Sequence, residues 1–287
     1  MMLRNNMICD ALLLFFVLTS LIGAQESDFE ILEGPYLGQE PPGETPRVFA
    51  PGIVSTNDRI EMYCTWAPDG ESFYFGRSET SEISSNWAIW ETVSKNGKWS
   101  EPRMAGFSGV YKDIAPYLTP DNKSMIFYRL AHQENEVRRG SWIVEKENGE
   151  WGEPRYFADA YCLMTQDLET FYFTTEKREQ TGKDIAQMTF ENGSFLKPVD
   201  LPGEVNSPGF EAHEYISPDG TYLLFDRIEE TFVSFRKEDG TWAPGVTLGM
   251  KLHIPCISPD GKFIFFEANG DIYWVSASLV EDLRPAR

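Results

Sequence analysis

The sequence predicts an all-β fold, a single β-propeller of five four-stranded blades in which N- and C-terminal strands close one blade together. Three observations predict it. One hairpin motif occurs five times, a second tight turn follows it in four copies, and a strand missing at the C-terminal end is present at the N-terminal end. The hairpins are centred on Asp69, Asp121, Asp167, Asp219 and Asp260. Strand–turn–strand units that recur about every 40–50 residues are typical of propeller blades.

The first hairpin joins strands A and B of each repeat, whose four strands we name A to D. Its copies span residues 66–75, 118–127, 164–173, 216–225 and 257–266. The turn reads Pro-Asp-Gly in three copies, where proline presets φ and glycine accepts a positive φ. The second copy has Asn122 in place of glycine, a mild change because asparagine accepts the same backbone. The third copy departs further, with Gln166 and Leu168.

The second tight turn joins strands C and D. Its central residues are Asn96-Gly97, Asn148-Gly149, Asn192-Gly193 and Asp239-Gly240. Asn-Gly and Asp-Gly are strong hairpin signals, because a type I′ turn needs positive φ at both central residues. Two residues after each glycine comes an aromatic, namely Trp99, Trp151, Phe195 and Trp242. Their equal spacing favours packing anchors over the alternative, a surface for stacking sugars.

Closure of the ring follows from the two ends of the repeat region. The fifth repeat stops after strand C, near Ser276, and an unassigned strand at residues 46–55 precedes the first strand A. Placing both in one blade removes the edge that a propeller would otherwise expose. We therefore divide the chain into a signal peptide (1–24), an N-terminal extension (25–45) and the propeller (46–287).

The N-terminal residues predict export. An apolar run over 11–22 precedes Gly23 and Ala24, which is typical of a secretory signal peptide cleaved after Ala24. The protein is then periplasmic or secreted; an uncleaved membrane anchor is the alternative. A net charge of −20 argues against nucleic-acid binding. The cysteines beyond the signal, Cys64, Cys162 and Cys256, are odd in number and are expected to be buried free thiols.

The repeats resemble the WD40-like β-propeller repeat of the TolB type. The resemblance is carried by Ile-Ser-Pro-Asp-Gly at 216–220 and again at 257–261, each followed by a strand ending in phenylalanine. Residues 36–43 and 49–55 resemble the opening of exported members of that group. The third copy departs from the pattern at Gln166 and Leu168. The resemblance implies a periplasmic or surface scaffold that binds partners, and it implies no catalytic residue set.

Loop length identifies the face expected to bind. Strand order places the A–B and C–D turns on one face, and nearly all of these turns are tight. The B–C loops and D–A connections lie on the other face, which receives the long segments 78–86, 105–112, 130–140, 176–183 and 202–210. Variable loops on a rigid scaffold are where binding usually resides.

Charges recur at this long-loop face. Eight residues before the turn aspartates stand Glu61, Asp113, Asp159 and Glu211, and eight residues after them stand Arg77, Arg129 and Arg227. Because strands A and B are antiparallel, each acid is expected opposite its arginine. The pairs are interpreted as structural braces, with a charged channel mouth as the alternative. The third repeat has Thr175 in place of arginine, so Asp159 is expected to lack this partner.

Two histidines, His213 and His253, begin strand A of the fourth and fifth repeats. A metal site formed by both with Glu211 is conceivable, but the ligand motif is sparse, and no metal or cofactor is predicted. His132 lies in a long loop and is expected to be exposed.

The predicted function is therefore a monomeric, non-catalytic binding or scaffold protein that engages a protein or glycan through its long-loop face. The candidate binding residues at the channel mouth are Glu61, Arg77, Asp113, Arg129, Asp159, Glu211, His213, Arg227 and His253. The alternative is a glycoside hydrolase or lyase that uses two of the four carboxylates. No G-x-S-x-G, H-E-x-x-H, P-loop or dinucleotide-binding motif occurs.

Overall fold

The computed structural model describes residues 32–130, 138–176 and 182–285, without the side chains of Cys162 and Glu176. The predicted signal peptide and His132 lie outside these ranges. Within them no helix is long and apolar enough to cross a membrane. The described chain opens with a short 3-10 helix at Pro35–Gly38 and with strand β1 at Arg47–Val48.

The fold is a five-bladed β-propeller, as the repeats predict, and the blades are five small antiparallel sheets. Blade I contains β2 (Glu61–Trp66), β3 (Ser72–Ser78), β4 (Trp87–Lys95), β5 (Lys98–Trp99) and β6 (Arg103–Met104). Blade II contains β7 (Lys112–Leu118), β8 (Ser124–Leu130), β9 (Gly140–Glu147), β10 (Glu150–Trp151) and β11 (Arg155–Ala158). Blade III contains β12 (Tyr161–Thr165), β13 (Thr170–Glu176), β14 (Lys183–Glu191), β15 (Ser194–Phe195) and β16 (Val199–Asp200).

Blades IV and V complete the ring. Blade IV contains β17 (Glu211–Ile216), β18 (Tyr222–Arg227), β19 (Glu230–Phe235) and β20 (Val246–Thr247), and blade V contains β21 (His253–Ile257), β22 (Phe263–Ala268), β23 (Asp271–Ser276) and β1. A single helical turn, α1 (Ser278–Glu281), follows β23. The A strands contact their neighbours around the whole ring, in the order β2, β7, β12, β17, β21 and back to β2. These five strands are therefore innermost and line the channel.

Strand β1 closes the ring, as predicted, but it is shorter than expected. Arg47 pairs with Trp274 and Val48 with Tyr273, antiparallel to β23. Beyond Val48 the chain turns away, because Ala50 and Gly52 adopt positive φ of 44° and 80°. The turn remains attached to β23, since the Ser55 hydroxyl lies 3.1 Å from both the backbone N and the O of Ile272.

Aromatic packing seals this junction between blades V and I. The Phe49 side chain is fully buried, and its ring lies edge-on to four others. They belong to Trp66 and Phe73 of blade I and to Phe265 and Trp274 of blade V, at centroid distances of 5.0 to 6.0 Å. One side chain of the N-terminal segment therefore joins the first blade to the last.

Both families of tight turns have the backbone that their sequences predict, with one exception. Asn96 and Gly97 have φ of 56° and 76°, and Asn148–Gly149 and Asn192–Gly193 likewise have positive φ at both positions. The exception is the fourth turn, where only Gly240 (φ 81°) is left-handed. There Gly240 N bonds to Lys237 O, and Lys237 N bonds to Thr241 O. These bonds close a three-residue loop in place of a type I′ turn.

Strand D differs from the prediction because it is broken. In blades I to III two short pieces pair with strand C, for example β5 and β6 with β4. The aromatics after the second turn pack against the blades. Trp99 and Trp242 are buried, while Trp151 and Phe195 are half-buried. Trp99 Nε1 donates to Gly34 O at 2.7 Å, which anchors the N-terminal extension to blade I.

A bulge in strand A was not predicted. The pairing between strands A and B shifts register in all five blades. In four of them the residue six positions before the turn aspartate has a φ of 52° to 55°, namely Tyr63, Ala115, His213 and Ile254. None is glycine, so the inner strands carry backbone strain beside the channel.

Removing the aromatic seal should weaken the entire ring. Phe49→Ala is expected to lower the free energy of unfolding by about 3–5 kcal/mol, because a fully buried ring leaves a cavity between two blades. Leu196→Ala, a truncation of a side chain that is 49% exposed on blade III, is the control and should change it by less than about 1 kcal/mol. Urea denaturation measures both. Equal effects of the two substitutions would contradict this account of closure.

The third A–B turn offers a stabilising change. Leu168 occupies the position of Gly70, Gly220 and Gly261 and has a φ of 65°, a conformation that is unfavourable for leucine by about 1–2 kcal/mol. Leu168→Gly is therefore expected to raise the free energy of unfolding by about 0.5–1 kcal/mol, since the relief of strain exceeds the added entropy of the unfolded chain. Thermal and urea unfolding test this; a lower stability of Leu168→Gly would show that the turn is not strained.

Candidate functional site

Three acid–arginine pairs form at the long-loop face, each across strands A and B of one blade. The pairs and their Nε-to-carboxylate distances are Glu61–Arg77 (2.8 Å), Asp113–Arg129 (2.7 Å) and Glu211–Arg227 (2.8 Å). The carboxylates are inaccessible, and the arginine side chains are 5% to 22% exposed. These six candidate residues therefore lie in buried pairs. Their geometry is that of braces rather than of an open charged mouth.

The pairs also hold the connections that lead from one blade to the next. In blade I, Glu61 accepts hydrogen bonds from the Thr56 backbone N–H (3.1 Å) and hydroxyl (2.9 Å), and Arg77 Nη2 donates to the carbonyls of Ile53 and Val54. In blades II and IV, a serine of the same connection donates to the acid, giving Ser108–Asp113 (3.0 Å) and Ser207–Glu211 (2.5 Å). Each brace thus fixes a D–A connection onto strand A.

Aromatic rings cover the arginines. The guanidinium carbon lies 4.4 to 4.7 Å from a ring of strand C, in the pairs Arg77–Trp90, Arg129–Trp142 and Arg227–Phe232. Cation–π contacts of this kind strengthen when water is excluded. Burial raises the pKa of Glu61 and of Asp113 and lowers that of Arg77, while the partner charge opposes each shift. The charged form of each buried member is therefore stabilised by its partner, so a brace needs both residues.

Blades III and V have no such brace, and their equivalent positions differ. In blade V, Leu252 is buried and Ala268 stands in place of arginine. In blade III, Asp159 is exposed, and no ion pair joins it to any residue in the described ranges. Asp159 instead lines a depression of about 630 Å³ between blades II and III, on the long-loop face.

The depression between blades II and III is polar and aromatic. Besides Asp159, its walls include Tyr128, Tyr161, Arg139 and Lys183. The two tyrosine rings meet edge to face at 4.8 Å. Arg139 Nε donates to Tyr128 Oη at 2.5 Å, and Lys183 Nζ lies 5.4 Å from the centre of the Tyr161 ring. Two cationic side chains and two phenols thus line the same depression as one carboxylate, in a chain whose net charge is −20.

The two histidines come together at the junction of blades IV and V. Their ring centroids are 4.7 Å apart, with planes at 82°. His213 Nδ1 lies 3.1 Å from Asp226 Oδ2, and His253 Nδ1 lies 2.7 Å from Glu267 Oε2. Burial lowers the pKa of His213, which favours the neutral imidazole. The carboxylate that joins the histidines is Asp226 and not Glu211, which is engaged in its brace.

A small cavity of about 40 Å³ lies in the channel itself, lined by residues of all five inner strands. Glu214, next to His213, faces this cavity and is fully enclosed. Burial raises the pKa of Glu214 to about 8. Thr174 Oγ1 donates to Glu214 Oε2 at 2.6 Å, while Oε1 has no hydrogen-bond partner in the described part of the chain. This raised pKa favours the protonated carboxyl group of Glu214.

The tight-turn face also carries a depression, although its turns are short. The turn prolines Pro68, Pro120, Pro218 and Pro259 surround a depression of about 160 Å³, together with Gln166 of the third copy. Its floor is apolar, formed by Trp66, Tyr117, Tyr215 and neighbouring aliphatic residues. It is about a quarter of the size of the depression between blades II and III.

The sequence motifs missed several residues of these sites. Asp226 and Glu267 both stand seven residues after their turn aspartates, where blades I to III have Gly76, Tyr128 and Thr174. Comparing the five repeats at that position shows that an acidic residue occurs there in the fourth and fifth repeats alone. Arg139 and Lys183 carry no such signal, since each begins or precedes a strand C after a loop of variable length.

Comparisons with known proteins find distant similarity to solved structures alone. No protein-family profile matches the sequence, and no curated protein matches it significantly. Among solved structures, the chain is similar to a protein described as TolB from Agrobacterium tumefaciens, with 16% identity over 72% of this chain and 69% of that one and a TM-score of 0.46. It is also similar to the periplasmic gluconolactonase of Pseudomonas aeruginosa, at 10% identity, 82% and 88% coverage and a TM-score of 0.43.

A third similar structure is a family 117 glycoside hydrolase produced by Zobellia galactanivorans, at 10% identity, 82% and 88% coverage and a TM-score of 0.46. These proteins include enzymes, and at such identities and TM-scores the similarities carry no inference about binding or catalysis. The function is therefore inferred from the side chains of this chain.

Breaking a brace should destabilise the fold strongly. Arg129→Met is expected to lower the free energy of unfolding by about 3–5 kcal/mol, because it leaves the Asp113 carboxylate buried without its partner. The double substitution Arg129→Met/Asp113→Leu removes both charges and should be less destabilising than Arg129→Met alone. Arg155→Met is the control, since Arg155 pairs with Glu145 in solvent and should contribute about 0–1 kcal/mol. Urea titrations of the parent and the three variants measure these differences; a double variant less stable than Arg129→Met would contradict the coupling.

Proposed function

We propose that this protein is an exported, non-catalytic binding module that holds an acidic glycan in the depression between blades II and III. The observation that carries the proposal is the concave, polar and aromatic lining of that depression. Its volume of about 630 Å³ falls within the usual range of ligand clefts, about 300–1,000 Å³. It lies on the long-loop face, where the sequence predicts binding.

The side chains that surround the depression favour a glycan with carboxylate or sulfate groups. Arg139 and Lys183 supply positive charge in an otherwise strongly acidic protein. The ring of Tyr161 offers an apolar surface suited to the faces of sugars, while its hydroxyl contacts that of Tyr63. Asp159 is exposed and can accept hydrogen bonds from sugar hydroxyls. A protein partner usually needs about 800 Å² of surface on each side, so a concave site of this size favours a chain of a few sugars.

Catalysis by the repeated carboxylates is the rival function, and their environment argues against it. A glycosidase needs two carboxylates roughly 5–10 Å apart that reach the substrate. Glu61, Asp113 and Glu211 are inaccessible and engaged with arginines, which leaves Asp159 as the accessible member of the four. Braces also occur in three blades at equivalent positions, which is expected of a shared structural role.

Substitutions in the depression test the proposal. Lys183→Ala and Arg139→Ala are each expected to weaken binding of a uronate- or sulfate-bearing oligosaccharide at least tenfold, with a further loss at high salt because charge pairing is screened. Arg155→Ala, an exposed arginine on the outer part of blade II, is the matched control and should bind as the unsubstituted protein does. A glycan array followed by calorimetry measures this.

Three outcomes would overturn the proposal. Undiminished binding in both variants would place the ligand elsewhere. Oligosaccharide products that disappear in Glu211→Gln would establish the enzyme. Retention of a protein partner at the same residues, without any glycan binding, would replace the glycan by a protein.

A further inference from the structure

The cluster at the junction of blades IV and V has no role in the proposed glycan binding, and it is built from residues that bind transition metals. We propose that His213, His253 and Asp226 form a zinc-binding site at the mouth of the channel, with Glu267 as a residue that positions His253. The inference is independent of the proposed function, because none of these four residues lines the depression between blades II and III.

The donor atoms are already close together. One donor atom from each of His213, Asp226 and His253 lies within 4.8 Å of the other two. His213 Nδ1 and Asp226 Oδ2 are 3.1 Å apart, close to the roughly 3.3 Å that separates two ligand atoms when tetrahedral zinc bonds are about 2.0–2.1 Å long. Two imidazoles and a carboxylate suit Zn²⁺ better than Mg²⁺ or Ca²⁺, which prefer oxygen ligands.

A hydrogen bond from outside the set orients His253. Its Nδ1 lies 2.7 Å from Glu267 Oε2, which leaves Nε2 as the donor for a metal. Glu267 is itself held, because it accepts a hydrogen bond from the Gly270 backbone N–H at 2.8 Å. A carboxylate that fixes the tautomer and direction of a histidine is common around protein-bound zinc. Asp226 is likewise fixed by Thr231 Oγ1 at 2.9 Å.

The backbone places His213 at the strand A bulge, which blades I, II and V share. His213 lies at the bulge of strand β17, with a φ of 52°, and its backbone N–H reaches Thr174 Oγ1 of blade III at 3.3 Å. The side chain remains 14% exposed, and that of His253 is 31% exposed, whereas Asp226 is almost fully buried at 2%. The two imidazoles of the proposed site are thus partly exposed, whereas its carboxylate is buried.

The repeat pattern separates this cluster from a structural brace. Braces recur in three blades, but the four residues of the cluster occur in one pair of adjacent blades. The equivalent positions in blades I, II and III hold Tyr63, Ala115 and Tyr161 for His213, and Met62, Ile114 and Ala160 for His253. Neither set can bind a metal through paired imidazoles. Packing of the ring does not therefore require histidine at these positions, and a specific site in blades IV and V accounts for both.

Calorimetric titration of ZnCl₂ into the untagged, chelator-treated protein tests the inference. One zinc ion is expected to bind per chain, and MgCl₂ should give no comparable signal. His253→Ala and His213→Ala are each expected to reduce zinc affinity at least tenfold, and Glu267→Gln to reduce it by a smaller factor. His132→Ala is the control, since it removes the remaining histidine of the chain, which lies outside the described residues.

Folding of the variants has to be established separately. His253→Gln serves as a second, more conservative substitution, and near-ultraviolet circular dichroism of each variant without metal should match the parent protein. Zinc should raise the melting temperature of the parent and of His132→Ala, and leave that of His253→Gln unchanged. Absence of zinc binding to the parent, or affinity that survives in both His213→Ala and His253→Ala, would overturn the proposed site.

Discussion

Closure of the ring is the constraint on which the rest of this structure depends. A propeller whose first and last blades do not join exposes a sheet edge and opens its channel. Here Arg47 and Val48 supply the backbone pairing to β23, and Phe49 packs into aromatic rings from both blades. The two-residue strand formed by Arg47 and Val48 contributes little stability by itself. Most of the stabilisation comes from burial of the Phe49 ring and from the Ser55 contacts to Ile272, which hold the chain that leads into β2.

Buried acid–arginine pairs hold the connections between blades in this protein. In blades I, II and IV an acid and an arginine fasten the segment that enters strand A, and an aromatic ring of strand C covers the arginine. Blades III and V omit the pair, and unusual side chains occur there. Asp159 is exposed beside a depression in blade III, and His253 with Glu267 faces blade IV. His213 and Asp226 of blade IV, which keeps its brace, complete the histidine cluster.

Sequence patterns predicted most of the architecture because its signals are local. A turn needs positive φ at fixed positions, so Asn-Gly and Pro-Asp-Gly reveal it directly, and antiparallel counting from Asp69 places Glu61 opposite Arg77. The bulge of strand A has no such signature, since Tyr63, Ala115, His213 and Ile254 share no side-chain property. That bulge shifts the register that brings His213 beside Asp226, so counting along strand A points to Glu211 instead. The depression between blades II and III depends on side chains from two blades, which no single repeat encodes.

The pairing of β1 with β23 also has a consequence for the order in which the molecule can form. Arg47 pairs with Trp274, and nearly the whole propeller separates these two residues along the chain. The pairing therefore cannot form until the last blade is present. Contacts between such distant residues slow folding, because a long loop must be ordered before they form. During synthesis the first strand emerges early and stays without its sheet until the last one appears. Four blades can assemble hairpin by hairpin, but the ring becomes a single cooperative unit only when the two ends meet, and until then the channel is an open cleft.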